Sequence, residues 1–183
     1  MTKVERQVIC YGATYTISYA VSRDGQRQPA RTFLDQLRLG RLKSDPNHIG
    51  KDGWPDEQQP PDCAKFLARM QYFAENGVPQ NERHINELRD GVWEFKVRAK
   101  RISFFDTDGK GHYTPKLKYH PGDAIPDDIK QTDYWWLPDF ETDVRVGHSF
   151  VKTSERTLEH DIEQSLRTRE GDLSHDKKTT GAI

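Results

Sequence analysis

The strongest constraint on this chain lies between residues 85 and 105. Asp90-Gly91 reads as the turn that opens the central strands, because both residues tolerate the left-handed backbone that tight turns require. Beyond it Trp93, Phe95 and Val97 fall on one face of an extended strand, and Glu94, Lys96 and Arg98 on the other. That alternation predicts an antiparallel sheet with one packed face and one wet, charged face. Arg101-Ile102-Ser103-Phe104-Phe105 predicts the next strand, and residues 144–151 the final one.

Elements of other kinds flank this sheet. Residues 8–11 and 15–21 read as two short strands, with Tyr15, Ile17, Tyr19 and Val21 on one face. A helix is expected from Pro29 to Gly40, burying Ala30, Phe33, Leu34 and Leu37. Asp62 reads as the N-cap of a longer helix, with Cys63, Phe66, Leu67, Met70, Phe73 and Ala74 at helical spacing and Asn76-Gly77 as its stop. Thr157 reads as the cap of a last helix in which Leu158, Ile162 and Leu166 recur every four residues. Residues 41–61 and 107–143 are rich in Pro and Gly and read as a long loop and an insertion. In the insertion, the cluster Tyr134-Trp135-Trp136-Leu137 requires something to pack on. Trp135 and Trp136 are candidates to stack on a nucleobase or, more ordinarily, to anchor the insertion.

Charge is unevenly spread. The formal net charge is only -1, but residues 83–118 carry nine Lys/Arg against five Asp/Glu, and residues 119–143 one against seven. A basic centre beside an acidic insertion suits a polyanion site and a segment able to mask it. Leu, Ile, Val and Phe total 37 of 183 residues, so the core must be concentrated in part of the chain. The expectation is one domain over 1–170 and a disordered polar tail over 171–183. Two cysteines, Cys10 and Cys63, make neither a disulfide framework nor a zinc site. There is no signal-peptide core and no apolar run of membrane-spanning length, so a soluble cytoplasmic protein with no membrane partner is expected.

The order of these motifs resembles the RelE/ParE toxin superfamily, and within it the HigB-like, phage-derived branch of type II toxin–antitoxin systems. The family pattern of Leu, any residue, Asp-Gly and then Glu-Leu-Arg is met by Leu88-Arg89-Asp90-Gly91 and Glu94-Phe95-Lys96. Its Arg-Ile-aromatic strand is met by Arg101-Ile102 with Phe104-Phe105. Its final strand is met by Gly147-His148-Ser149-Phe150-Val151-Lys152. Lysine replaces an arginine at position 96, Thr153 replaces the second of two lysines, and residues 107–143 interrupt the last hairpin.

The resemblance implies an α+β, RelE-like fold: a small, antiparallel-rich twisted sheet with two helices packed on it, a C-terminal helix and a long insertion in the last hairpin. It also implies a ribosome-dependent mRNA interferase, an endoribonuclease that inhibits translation. Its partners would be a cognate helix-turn-helix antitoxin and mRNA on the ribosome.

Such cleavage needs cations around a phosphorane and proton transfer at both ends, with no metal and no cofactor. Lys96, Arg101 and His148 are the catalytic candidates. Arg98, Lys152 and Arg156 are the candidates for binding RNA phosphate, and Glu94 is either a base or a partner of Lys96. Each also has a plain reading as a solvated or packed side chain; His148 in particular shares strand parity with Val146 and Phe150.

Two other classes stand beside this one. The first is a non-catalytic RelE-fold binding protein, or a degenerate toxin acting on a protein target such as DNA gyrase. The second is a metal-dependent nuclease, because Pro61-Asp62 and Glu94-Phe95-Lys96 mimic a Pro-Asp…Glu-x-Lys signature.

Overall fold

The computed structural model describes residues 3–45, 55–124 and 133–181. Strands β1 (Val8–Tyr11), β2 (Thr16–Tyr19), β3 (Ile85–Arg89), β4 (Val92–Val97), β5 (Lys100–Thr107) and β6 (Asp143–Val151) form one six-stranded sheet in the order β1-β2-β6-β5-β4-β3. All neighbours are antiparallel except β2 and β6, which run parallel from Thr16↔Asp143 to Tyr19↔Val146. The protein is α+β, with helices α1 (Pro29–Arg38), α2 (Gln59–Asn76) and α3 (Glu159–Thr180) among the described residues. None of these is long and apolar enough to cross a membrane.

Helices α1 and α2 cover one face. Ala30, Phe33, Leu34 and Leu37 form the buried stripe of α1, as the spacing predicts. From α2, Phe66, Met70 and Phe73 meet Trp93, Phe95, Ile102, Phe104, Val144 and Val146 of the sheet. Phe73 is the hub, 5.1–5.9 Å from the rings of Tyr15, Phe95, Phe104 and Phe140. Each such buried aromatic contributes about 1.5–3 kcal/mol by leaving water. The expected Asp62 cap is not formed. Pro60 and Pro61 occupy the first turn, where a missing N–H costs nothing, so α2 begins earlier with Gln58 as its cap residue. Asp62 is instead buried and accepts a hydrogen bond from Lys100 Nζ at 2.8 Å. The start of α2 also shortens the expected 41–61 loop, whose centre lies outside the described residues.

The other face carries α3, which corrects two expectations. Its cap residue is Leu158 rather than Thr157, and the tail expected to be disordered from Gly171 continues the helix to Thr180. Buried ion pairs hold that second half. Arg145 Nη1 reaches Asp172 Oδ2 at 2.6 Å and Asp176 Oδ2 at 2.5 Å. Arg6 binds the remaining oxygens at 2.5 and 2.8 Å, and the Val21 amide donates to Asp172 Oδ1 at 2.8 Å. Gly147 lets α3 approach: a Cβ there would stand 2.9 Å from Thr168 Cγ2.

The insertion between β5 and β6 is a strap. Tyr113 lies against Phe105 on the α3 face and donates to the Asp90 carbonyl at the β3–β4 hairpin tip. The chain then passes β3, where the Lys118 amide donates to Glu87 Oε1. On the α1/α2 face Trp136 stacks on Trp93 at 6.2 Å, and Leu137 and Phe140 enter the core. Residues 125–132 of the strap lie outside the described residues.

Candidate nucleic-acid interface

Side-chain alternation along β4 sends Glu94 and Lys96 to the α3 face, while Trp93, Phe95 and Val97 enter the core. Register places Lys96 opposite Arg101, and Glu94 opposite Ser103. Arg101 is in turn opposite Phe150 on β6. Four residues of the expected site, Lys96, Arg101, His148 and Lys152, therefore come to one face of the sheet with Glu94. Arg98 and Arg156 do not join them. Arg98 occupies the β4–β5 turn and forms a 3.3 Å ion pair with Asp62 on the α2 side. Arg156 is exposed in the connection before α3.

His148 faces this side because of an irregularity that strand parity did not predict. Phe104 pairs with Val146 but Ile102 pairs with Ser149, so β6 carries one extra residue at 147–148. The bulge reverses the facing of the strand beyond it. Val146 stays in the core, while His148 Nε2 lies 3.0 Å from Asp161 Oδ1 on α3 and its ring stacks on Phe150 at 5.4 Å. The plain reading of a packed histidine holds in part, though against α3 and not in the main core. Its outer edge lines a pocket of about 420 Å³ with Arg23, Arg27 and Arg167.

The cluster is electrostatically unbalanced. Glu94 is only 3% exposed. Its Oε1 is 3.5 Å from Arg101 Nε, and its Oε2 has no hydrogen-bond partner. Burial raises the Glu94 carboxyl above its ordinary range, against the opposing pull of Arg101, Lys96 and Lys152. Burial, with the charges of Arg101, Lys152 and Lys118, lowers the Lys96 ammonium, and Glu94 offsets only part of this. Burial thus shifts the neighbouring carboxyl upward and the ammonium downward, each toward its neutral form. Arg101, 9% exposed, donates through Nη1 to the carbonyls of Arg98 at 2.6 Å and Lys100 at 2.9 Å. The buried Ser103 hydroxyl has no partner.

Two features have little signature in the sequence. His84, in the short 3-10 turn Glu82–His84 before β3, has a buried, unpartnered Nδ1. Burial lowers its pKa, and the charges of Arg69 and Lys96 lower it further. Its only sequence signal is a histidine just before the hairpin. The second feature is Lys100, buried between Asp62 and Asp45, the latter at 3.0 Å. This pairing dissolves the nuclease-like signature. Asp62 lies on the α2 side with Lys100, whereas Glu94 and Lys96 project from the opposite face of the sheet. No group of three or more His, Cys, Asp or Glu able to hold a metal occurs among the described residues.

No protein-family model matches the chain, and no curated protein matches it.

Proposed function

We propose that this protein is the toxin of a type II toxin–antitoxin pair, a RelE-like, HigB-like endoribonuclease that cuts mRNA on the ribosome without a metal. The reading rests on the motif order together with one observation. Lys96, Arg101 and Lys152 gather around a single buried carboxylate, Glu94, that has an oxygen to spare. Glu94 Oε2 is closed off from solvent in the free protein, so the bound strand would have to uncover it before it takes the proton from the RNA 2′-hydroxyl, whose oxygen attacks the adjacent phosphorus. Lys96 would supply a proton to the departing 5′-oxygen as the phosphorus–oxygen bond breaks. The products are a 2′,3′-cyclic phosphate and a 5′-hydroxyl. Arg101 and Lys152 would stabilise the charge that builds on the phosphorane between these steps. The partners in this reading are a helix-turn-helix antitoxin and the translating ribosome, which places the action in the cytoplasm.

A second reading, a non-catalytic binding relative acting on a protein target, is favoured by the engagement of two expected catalytic groups. Arg101 holds its own hairpin turn, and His148 is held by Asp161. Induced expression in a bacterium with mapping of mRNA 5′ ends separates the two. Growth arrest with new cleavage sites, lost in folded Lys96→Ala and Glu94→Gln variants, supports the nuclease. Arrest with intact messages supports the binding protein.

A further inference from the structure

A groove of about 490 Å³ opens where the strap passes β3. Lys96 lines it, so the groove adjoins the cationic cluster. Arg83 and Lys118 add two more cations against one carboxylate, Glu82, and Tyr119 and Trp135 supply aromatic surface. Its size falls within the range of about 300–1,000 Å³ typical of small-ligand sites.

The two neighbouring tryptophans have separate roles. Trp136 anchors the strap, stacked on Trp93 with Lys118 Nζ 5.1 Å from its centroid. Trp135 is 36% exposed and among the described residues has no ring partner in the core. The two limbs of the strap are joined by the Tyr119 amide, which donates to the Trp136 carbonyl at 2.9 Å. Trp135 is therefore presented at the groove by a braced backbone. An open indole beside a lysine held in place by cation–π contact, with a second cation across the gap, matches the repeat of a single-stranded polynucleotide. One flat base lies beside one phosphate.

We infer that this groove is a nucleotide-binding subsite, in which Trp135 stacks on a base of single-stranded RNA and Lys118 and Arg83 hold its flanking phosphates next to Lys96. The inference rests on the proposed RNA-directed function and locates where the strand runs as it leaves the cluster. The strap is then part of the RNA-binding surface, and its base–aromatic contact tolerates any sequence.

The test uses the full-length protein and a short oligoadenylate methylated at every 2′-oxygen, which can bind but cannot be cut. Titration should quench tryptophan fluorescence. Trp135→Ala should weaken binding about tenfold and remove most of the quenching, while Trp135→Tyr retains most of the affinity. Lys118→Ala should weaken binding and make it less sensitive to salt, by about one phosphate contact. Thermal midpoints matching the wild type would show that the exposed Trp135 was replaced without unfolding.

Three outcomes overturn the inference: no binding, unchanged affinity in folded Trp135→Ala, or equal affinity for inorganic polyphosphate, which has charge but no base. The two readings fail separately. Binding that depends on Trp135 without cleavage of ordinary RNA rejects the nuclease and keeps the groove. Cleavage that depends on Lys96 with binding indifferent to Trp135 does the reverse.

Discussion

Two charged clusters share the α3 face of the sheet and are built on opposite principles. Arg6, Arg145, Asp172 and Asp176 pair two cations with two carboxylates, and all four carboxylate oxygens accept hydrogen bonds. The Arg145 guanidinium is held above its ordinary value because Asp172 and Asp176 outweigh the burial that would lower it. Glu94, Lys96, Arg101 and Lys152 set three cations against one carboxylate, and leave Glu94 Oε2 and the adjacent Ser103 hydroxyl unpaired. A network with every carboxylate oxygen paired fixes a helix, although Arg145 Nε is left without a partner. An open one holds polar groups away from water without satisfying them, which lowers stability unless a ligand completes it. The difference separates a fastening from a site, although both are made of the same residue types.

Breaking the closed network should have the largest effect on stability. Asp172→Ala leaves two arginines facing a void beside a fully buried position, and should cost about 3–5 kcal/mol in urea denaturation. A loss below about 1 kcal/mol would mean that the pairing contributes little to holding α3. The open cluster should respond in activity rather than stability. Lys96→Ala should lower the initial rate of RNA cleavage about 100-fold with little change in the urea midpoint. A destabilised, fully active variant would place Lys96 among the fastenings.

A pH series sharpens the contrast further. The folded-state carboxyl of Glu94 is raised above its ordinary value of 4.5. Its favourable contribution is therefore complete below pH 4.5 and is lost as pH rises through the higher folded value. Urea midpoints from about pH 4 to about pH 8 should show Glu94→Gln gaining steadily on the wild type. A constant or shrinking difference would show that Arg101 already balances the carboxylate. The smallest effect is expected outside both clusters. Arg98→Ala removes an exposed cation 3.3 Å from Asp62 Oδ1, which makes no hydrogen bond, and leaves Lys100 on Oδ2, so stability should change by no more than about 0.5 kcal/mol.

What could be read in the sequence was local. The Trp93, Phe95 and Val97 alternation, the Asp90-Gly91 turn and the Ala30 to Leu37 stripe depend on neighbours within a few residues. The structure contains each of them, with Lys96 beside Arg101 as a direct consequence. What escaped depends on distant partners. Asp172 and Asp176 look like a solvated tail until Arg6 and Arg145 are placed against them. His148 changes face because of one extra residue in β6 that only the pairing with β5 reveals. Asp62 looks like a cap because the two prolines before it resemble a loop, and its partner Lys100 lies 38 residues later, at the start of β5. The strap is intermediate: Tyr134-Trp135-Trp136-Leu137 requires packing, but only the structure divides Trp136, packed, from Trp135, presented.

The path of that strap has a consequence for how the molecule meets others. A bare outer strand offers unpaired amides and carbonyls to any passing extended chain. Among the described residues the insertion runs past the β3 margin of the sheet, while the opposite margin, β1, carries Val8 and Tyr11 exposed. An added strand, whether from a binding partner or in aggregation, would therefore meet fewer obstacles, among the described residues, at the β1 border.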